Sequence, residues 1–135
     1  MKAIEIINET ANFYKKDPLN RRSFASDYDI CAYNSSDGNH CAVGRCLQKK
    51  YRDLGEDLEC NSESIYELTD FYCKNSLDEM LMPRYRGQDL ELWQDLQTLH
   101  DYENFWYEKG LTENGQRKLS KLRIKWTGGR SSLKT

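Results

Sequence analysis

The sequence predicts an α+β fold that is mostly helical, with about five helices, one small β-hairpin and a single core. Apolar residues recur at spacings of three and four over most of the chain, which is the period of an amphipathic helix. Only residues 30–43 place a polar turn, Ser35 to Gly38, between two short apolar runs, as a hairpin requires. A chain of 135 residues suffices for one domain and not for two. We therefore expect one globular domain over residues 1–127 and a flexible basic tail over 128–135.

The first half of the chain predicts two helices on either side of this hairpin. A helical face near the amino terminus ends before Pro18, and it consists of Ile4, Ile7, Ala11 and Tyr14. After the hairpin the period changes near Gly44. The second helix is predicted by Val43, Leu47, Tyr51 and Leu54, with Gly55 at its carboxyl end.

The second half predicts three further helices and one short one. Ser64 and Glu67 form a capping-box pattern that starts a third helix, and the pattern recurs at Ser76 before a short helix that Pro83 ends. Residues 89–107 are the strongest helical stretch, with a buried stripe predicted at Leu92, Leu96, Leu99, Tyr102 and Trp106. Thr112 is placed to cap the last helix, whose predicted buried stripe is Leu119, Leu122 and Trp126.

Charge and cysteine content limit the classes of protein. The net charge of −2 conceals acidic segments at 54–73 and 87–113 and a carboxyl-terminal segment, 116–135, whose charged residues are all cations. Apolar runs are too short to span a bilayer, and the acidic amino terminus does not match a secretory signal. Five cysteines, an odd number, without an export signal predict free thiols in a reducing cytosol.

The cysteines and histidines raise the possibilities of a metal site and of nucleophilic catalysis. Cys31, His40, Cys41 and Cys46 lie within sixteen residues, but the adjacent His40 and Cys41 would face opposite sides of a strand. Cys46 lies near a predicted helix start, where a thiol can be activated. His100 is followed by Asp101, which in a regular helix points about 100° away from it. We therefore expect neither a metal, nor a cofactor, nor enzymatic activity.

Two cationic segments are candidate binding sites. The predicted strand-to-helix junction could present backbone N–H groups and cations to a phosphate or nucleotide, through Gly44, Arg45, Lys49 and Arg52. The last helix could contact nucleic acid through Arg117, Lys118, Lys121 and Lys125. In the alternative interpretation these cations pair with acidic segments or form a solvated helix face.

Three short motifs in a fixed order resemble a group of small uncharacterised proteins of tailed bacteriophages and prophages. They are the C-A-x-G-R-x-L junction at Cys41 to Leu47, the L-x-x-L-H-D helix at Leu96 to Asp101, and the G-L-T-x-x-G turn at Gly110 to Gly115. The resemblance covers most of the chain from Asp29 onward. It implies an accessory protein in the cytoplasm of an infected bacterium and does not imply a biochemical activity.

We therefore expect a non-enzymatic protein that binds and inhibits a host bacterial protein, as an antagonist of a defence system would. Its separated acidic and basic regions favour fast, salt-sensitive association with a charged partner. Two alternatives remain open: sequestration of a small nucleotide signal, and binding of nucleic acid through the basic last helix. We expect no membrane association, and the sequence leaves the oligomeric state open.

Overall fold

The computed structural model describes residues 1–23, 39–52, 68–70 and 74–127. The α-helices are α1 (Ala3–Lys15), α2 (Pro18–Arg21), α3 (Lys49–Arg52), α4 (Leu90–Asp101) and α5 (Glu113–Trp126). Single 3₁₀ turns lie at Gly44–Cys46, Leu77–Glu79, Pro83–Tyr85 and Glu103–Phe105, and residues 68–70 are also helical. Strands β1 (Trp106–Tyr107) and β2 (Gly110–Leu111) form an antiparallel hairpin. The prediction of a mostly helical α+β fold with one hairpin is confirmed.

One hydrophobic core runs through these elements, and α1, α4 and α5 supply most of its helical side chains. Ile7, Ala11 and Tyr14 of the predicted first stripe are buried, as are Leu119, Leu122 and Trp126 of the last. Thr112 caps α5, since its hydroxyl accepts a hydrogen bond from the Gly115 N–H at 3.1 Å. No helix in these described ranges is both long enough and apolar enough to cross a membrane.

The hairpin lies in a different place from the one predicted. Residues 39–43 contain no strand, and the remainder of the predicted hairpin, including Cys31, lies outside the described residues. The observed hairpin pairs Trp106 with Leu111 and Tyr107 with Gly110. Gly110 has a φ of +134°, which only glycine adopts readily, and it lets the chain reverse after Glu108 and Lys109.

The strongest predicted helix is shorter than its periodicity indicated. α4 ends at Asp101, and Tyr102 is exposed although the pattern placed it in the buried stripe. Side chains from other parts of the chain bind carbonyl groups of the last turn: the Trp106 indole donates to the Leu99 carbonyl at 2.7 Å, and Arg22 Nε donates to the His100 carbonyl at 2.7 Å. Because these side chains supply hydrogen-bond donors to carbonyl groups of the last turn, the helix can end here and the chain can change direction.

The predicted second helix is also interrupted. Leu47 is extended and forms an antiparallel bridge with Leu81, so a 3₁₀ turn at Gly44–Cys46 and the short helix α3 replace one continuous helix. The predicted residues Leu54 and Gly55, the Ser64 capping box and the tail at 128–135 lie outside the described residues.

Candidate functional site

The predicted anion site at Gly44 and Arg45 forms a different set of contacts from those expected. Gly44 is buried, and its N–H lies 3.4 Å from Cys41 Sγ. Arg45 forms an ion pair with Glu9 at 2.7 Å and donates a hydrogen bond to Thr10 Oγ1 at 3.1 Å. An anion at this junction would therefore compete with Glu9 for the guanidinium. Anion binding here stays a prediction.

Tyr85 completes what we call the Glu9–Arg45 cluster, which consists of Glu9, Thr10, Arg45, Arg84 and Tyr85. The Tyr85 hydroxyl donates a short hydrogen bond to Glu9 Oε1 and accepts one from Arg84 at 2.6 Å. Burial opposes ionisation of Glu9, but the hydrogen bonds from Tyr85 and Arg45 outweigh it and lower the pKa of this carboxyl group. Burial and the bond to Glu9 raise the pKa of Tyr85 to about 12. At neutral pH the cluster is a paired carboxylate with a neutral phenol.

The other two residues predicted at the anion site lie in α3. Lys49 is exposed and Arg52 is half-buried, and each makes an interaction of its own. Arg45, in contrast, contacts α1 and the turn that carries Tyr85.

The cysteine and histidine positions do not form a reactive site in the described ranges. Cys41 and Cys46 are buried free thiols, and burial raises the pKa of Cys46 to about 12, so that it stays protonated at neutral pH. Nowhere in residues 1–23, 39–52, 68–70 and 74–127 do three His, Cys, Asp or Glu side chains come close enough together to hold a metal ion. Cys31 lies outside these ranges.

His100 and Asp101 contact each other, contrary to the expectation from helix geometry. His100 Nδ1 lies 2.7 Å from Asp101 Oδ1, and His100 Nε2 accepts the Ser23 N–H at 3.1 Å. Because Nε2 is an acceptor, the ring is neutral and carries its proton on Nδ1. The helix ends at Asp101, and this allows the carboxylate to reach the adjacent ring. The Ser23 hydroxyl donates to the Asn39 carbonyl at 3.1 Å, so these three residues are not a catalytic triad.

We expect the neutral state of His100 to make stability depend on pH. Burial lowers the pKa of His100 more than Asp101 raises it, and Arg22 lowers it further. The unfolded chain therefore binds a proton below pH ~6.5 that the folded chain does not, so stability falls below that pH, by at most ~1.4 kcal/mol per unit. Urea denaturation between pH 5 and 8 will show this slope in the wild type, and His100→Gln will lack it. An imidazole pKa at or above 6.5 by NMR would contradict the assignment.

Three of the four cations predicted to contact nucleic acid lie on the accessible surface of α5. Arg117 and Lys121 are exposed, and Lys118 is half-buried. Arg117 forms an ion pair with Glu113 at 3.0 Å. Lys125 differs from the prediction, because its ammonium group binds Glu91 at 2.9 Å and Asp95 at 2.7 Å. Nucleic-acid binding stays a prediction that rests on the first three.

The sequence did not identify an open groove between α2 and the β-hairpin. We call it the α2–hairpin groove; it measures about 370 Å³ and is lined by Pro18, Leu19, Arg22, Asp101, Glu103, Trp106 and Tyr107. Leu19 is 67% exposed and Tyr107 is 48% exposed, although both are large apolar or aromatic side chains. The groove therefore presents apolar area to solvent beside acidic groups.

The acidic and basic residues that line this groove differ in their exposure to solvent. Glu103 is exposed, and its carboxylate makes no ion pair with any residue in the part of the chain that the structure describes. Asp101 binds His100, whereas Glu108 and Lys109, which are both exposed in the hairpin turn and opposite in charge, are not among the described lining residues. Arg22 is the one cation among the described residues of the lining; it is buried, and it donates to the carbonyl groups of His100 and Asp101. Among the described lining residues, the accessible charge is thus negative.

A sequence signal for this groove did exist. The motif of two polar residues and a glycine, Glu108 to Gly110, follows two aromatic residues and is compatible with a hairpin. The helical periodicity of residues 89–107 obscured it, because Trp106 falls on the predicted stripe. No protein-family model, curated protein or solved structure matches this chain.

Proposed function

We propose that the chain is a non-enzymatic protein-binding module whose α2–hairpin groove holds a cationic segment of another protein. The observation that carries this proposal is the exposed apolar area of Leu19 and Tyr107 in one groove with the carboxylate of Glu103, which makes no ion pair within the described part of the chain. An exposed apolar patch with a polar rim is typical of a protein-interaction site. An arginine or lysine of the partner fits this site because its charge can pair with Glu103 while its stem or guanidinium packs on Tyr107.

The resemblance to bacteriophage proteins supports a setting for this module. We propose that the partner is a host bacterial protein, that binding takes place in the cytoplasm of the infected cell, and that it inhibits the partner, as an antagonist of a defence system would. Electrostatic attraction between the groove and a cationic partner gives rapid association that weakens as salt is added.

Pull-down from a bacterial lysate tests the proposal when it is carried out with matched variants. We expect the wild type to recover a protein in stoichiometric amount and Leu19→Ser with Glu103→Lys to lose it. The control is Ile124→Ser with Glu113→Lys, because Ile124 is 77% exposed and Glu113 is an exposed carboxylate, and neither lines the groove. All four positions are at the surface, so both variants will fold. Recovery of no protein, or equal recovery by both variants, would contradict the proposal.

A further inference from the structure

A second cavity, distinct from the α2–hairpin groove, is lined by basic and neutral residues. It measures about 390 Å³ and lies where the end of α1 meets β2 and α5. The polar lining residues are Lys15, Gln116, Ser120 and Arg123, and the apolar ones are Leu111 and Leu119. Among the described residues, the lining contains two cations and no carboxylate. We call it the Lys15–Arg123 cavity.

The donors of this cavity are available to a ligand. Arg123 Nε donates to Asn8 Oδ1 at 2.8 Å, which orients the guanidinium. Among the residues that the structure describes, no other hydrogen bond or ion pair holds the side chain of Arg123, and none holds Lys15 Nζ or Ser120 Oγ. Other cations of this chain, such as Arg45 and Lys125, are paired with carboxylates. The Lys15–Arg123 cavity therefore holds two positive charges that no carboxylate of the described ranges pairs with.

This donor set fits a doubly charged oxyanion. A guanidinium offers its remaining N–H groups in a fixed plane, an ammonium adds a mobile point charge, and a hydroxyl can complete the shell of a phosphate group. Leu111 and Leu119 are largely buried, and the small part of each that faces the cavity would contact an apolar part of the ligand. A carboxylate, with one charge and two oxygens, uses fewer of these donors.

We propose that the Lys15–Arg123 cavity binds a small phosphate monoester, with the phosphate on Lys15 and Arg123 and its organic group against the two leucines. This site is independent of the protein-binding groove, and it differs from the junction at Gly44 where the sequence predicted an anion. The cations of the cavity come from α1 and α5, which are separated by about a hundred residues in sequence. Sequence proximity could not bring them together.

Calorimetric titration with phenyl phosphate tests this site, with benzoate and inorganic phosphate as comparison ligands. We expect phenyl phosphate to bind more tightly than either comparison ligand. Lys15→Met and Arg123→Met should each weaken binding at least about tenfold, since each removes a charged hydrogen-bond donor to the phosphate. If Arg123→Met does not fold, the affinity of Lys15→Met alone tests the proposed site, because Lys15 is exposed and its replacement leaves the core intact.

Lys16→Met and Lys121→Met are the matched controls. Lys16→Met removes a positive charge from the residue that follows α1, and Lys121→Met removes one from α5. Neither residue is in the described lining of the cavity. Affinity in these controls should stay within about twofold of the wild type, because exposed charges at a distance are screened by salt. No binding of phenyl phosphate, tighter binding of benzoate, or equal losses in the control variants would overturn the proposal. Binding of a single-stranded oligonucleotide that Lys121→Met weakens as much as Lys15→Met would also overturn it, in favour of a diffuse cationic face.

Discussion

Replacing Gly115 with alanine will lower the free energy of unfolding by about 2–3 kcal/mol, in spite of the better helix propensity of alanine. A Cβ atom at Gly115 would lie 2.2 Å from the Phe105 carbonyl oxygen and 2.8 Å from Leu111 Cδ2. The nearest atom belongs to the backbone, so the clash cannot be relieved by rotating a side chain. Propensity alone would stabilise α5 by about 1 kcal/mol, and the clash exceeds this gain.

Urea denaturation of Gly115→Ala and Ser120→Ala measures this effect. Ser120 is an exposed residue of the same helix, so its replacement should change stability by no more than about 0.5 kcal/mol. Thr112 N–H also donates to the Phe105 carbonyl at 2.9 Å, so the clash will shift the hairpin that carries Tyr107 and weaken partner binding. If Gly115→Ala is as stable as the wild type, α5 does not approach the Phe105 carbonyl group as closely as the structure shows.

Replacing Arg45 with methionine will destabilise the fold by about 2–3 kcal/mol, because the Arg45 side chain is largely buried and its partner Glu9 is partly buried. The Arg45 side chain is 12% exposed and that of Glu9 is 31% exposed. Removing the Arg45 guanidinium leaves the Glu9 carboxylate with the hydrogen bond from Tyr85 and the nearby charge of Arg84, and it takes from Thr10 Oγ1 the donor that Arg45 supplies. The pKa of Glu9 will then rise towards its ordinary value, since the ion pair helps to hold it down.

The pH dependence of stability gives a second measure of the same cluster. A carboxyl group whose pKa is lowered by folding stabilises the protein above its unfolded pKa of ~4.3, and this stabilisation is lost as pH falls through the folded pKa. Glu9→Gln should therefore flatten the loss of stability in that acidic range.

Arg117→Met is the matched control for Arg45→Met, because the Arg117–Glu113 pair is highly exposed and contributes at most about 1 kcal/mol. Equal effects of Arg45→Met and Arg117→Met would contradict the account of the cluster.

Periodicity predicted the parts of the fold that depend on local burial. The α5 stripe, the Thr112 cap and three of the four residues of the α1 stripe follow from residues close together in sequence, and they are confirmed, whereas Ile4 is half-buried. The end of α4 could not be predicted in this way, since it depends on Arg22, a residue 78 positions away that binds the His100 carbonyl. Likewise, Leu47 is extended because it pairs with Leu81.

The candidate sites were less predictable than the fold, because a sequence shows charges and not their partners. The sequence predicted Arg45 and Lys125 as cations available to a ligand, but both bind carboxylates that come from other helices. The helical period placed Tyr107 in a helix, whereas it lies in strand β1 of the hairpin and its side chain is exposed. Only the three-dimensional arrangement places Leu19 of α2 and Tyr107 in one groove.

A ¹H–¹⁵N NMR titration with the purified partner tests the proposed groove most directly. Two tryptophan indoles serve as reporters, since Trp106 lines the groove and Trp126 binds Asp95 at the end of α5. We predict that the partner shifts the Trp106 indole signal and the amide signals of Leu19, Glu103 and Tyr107, while the Trp126 indole signal stays in place. Shifts at Trp126 and along α5, with the groove signals unchanged, would contradict the account.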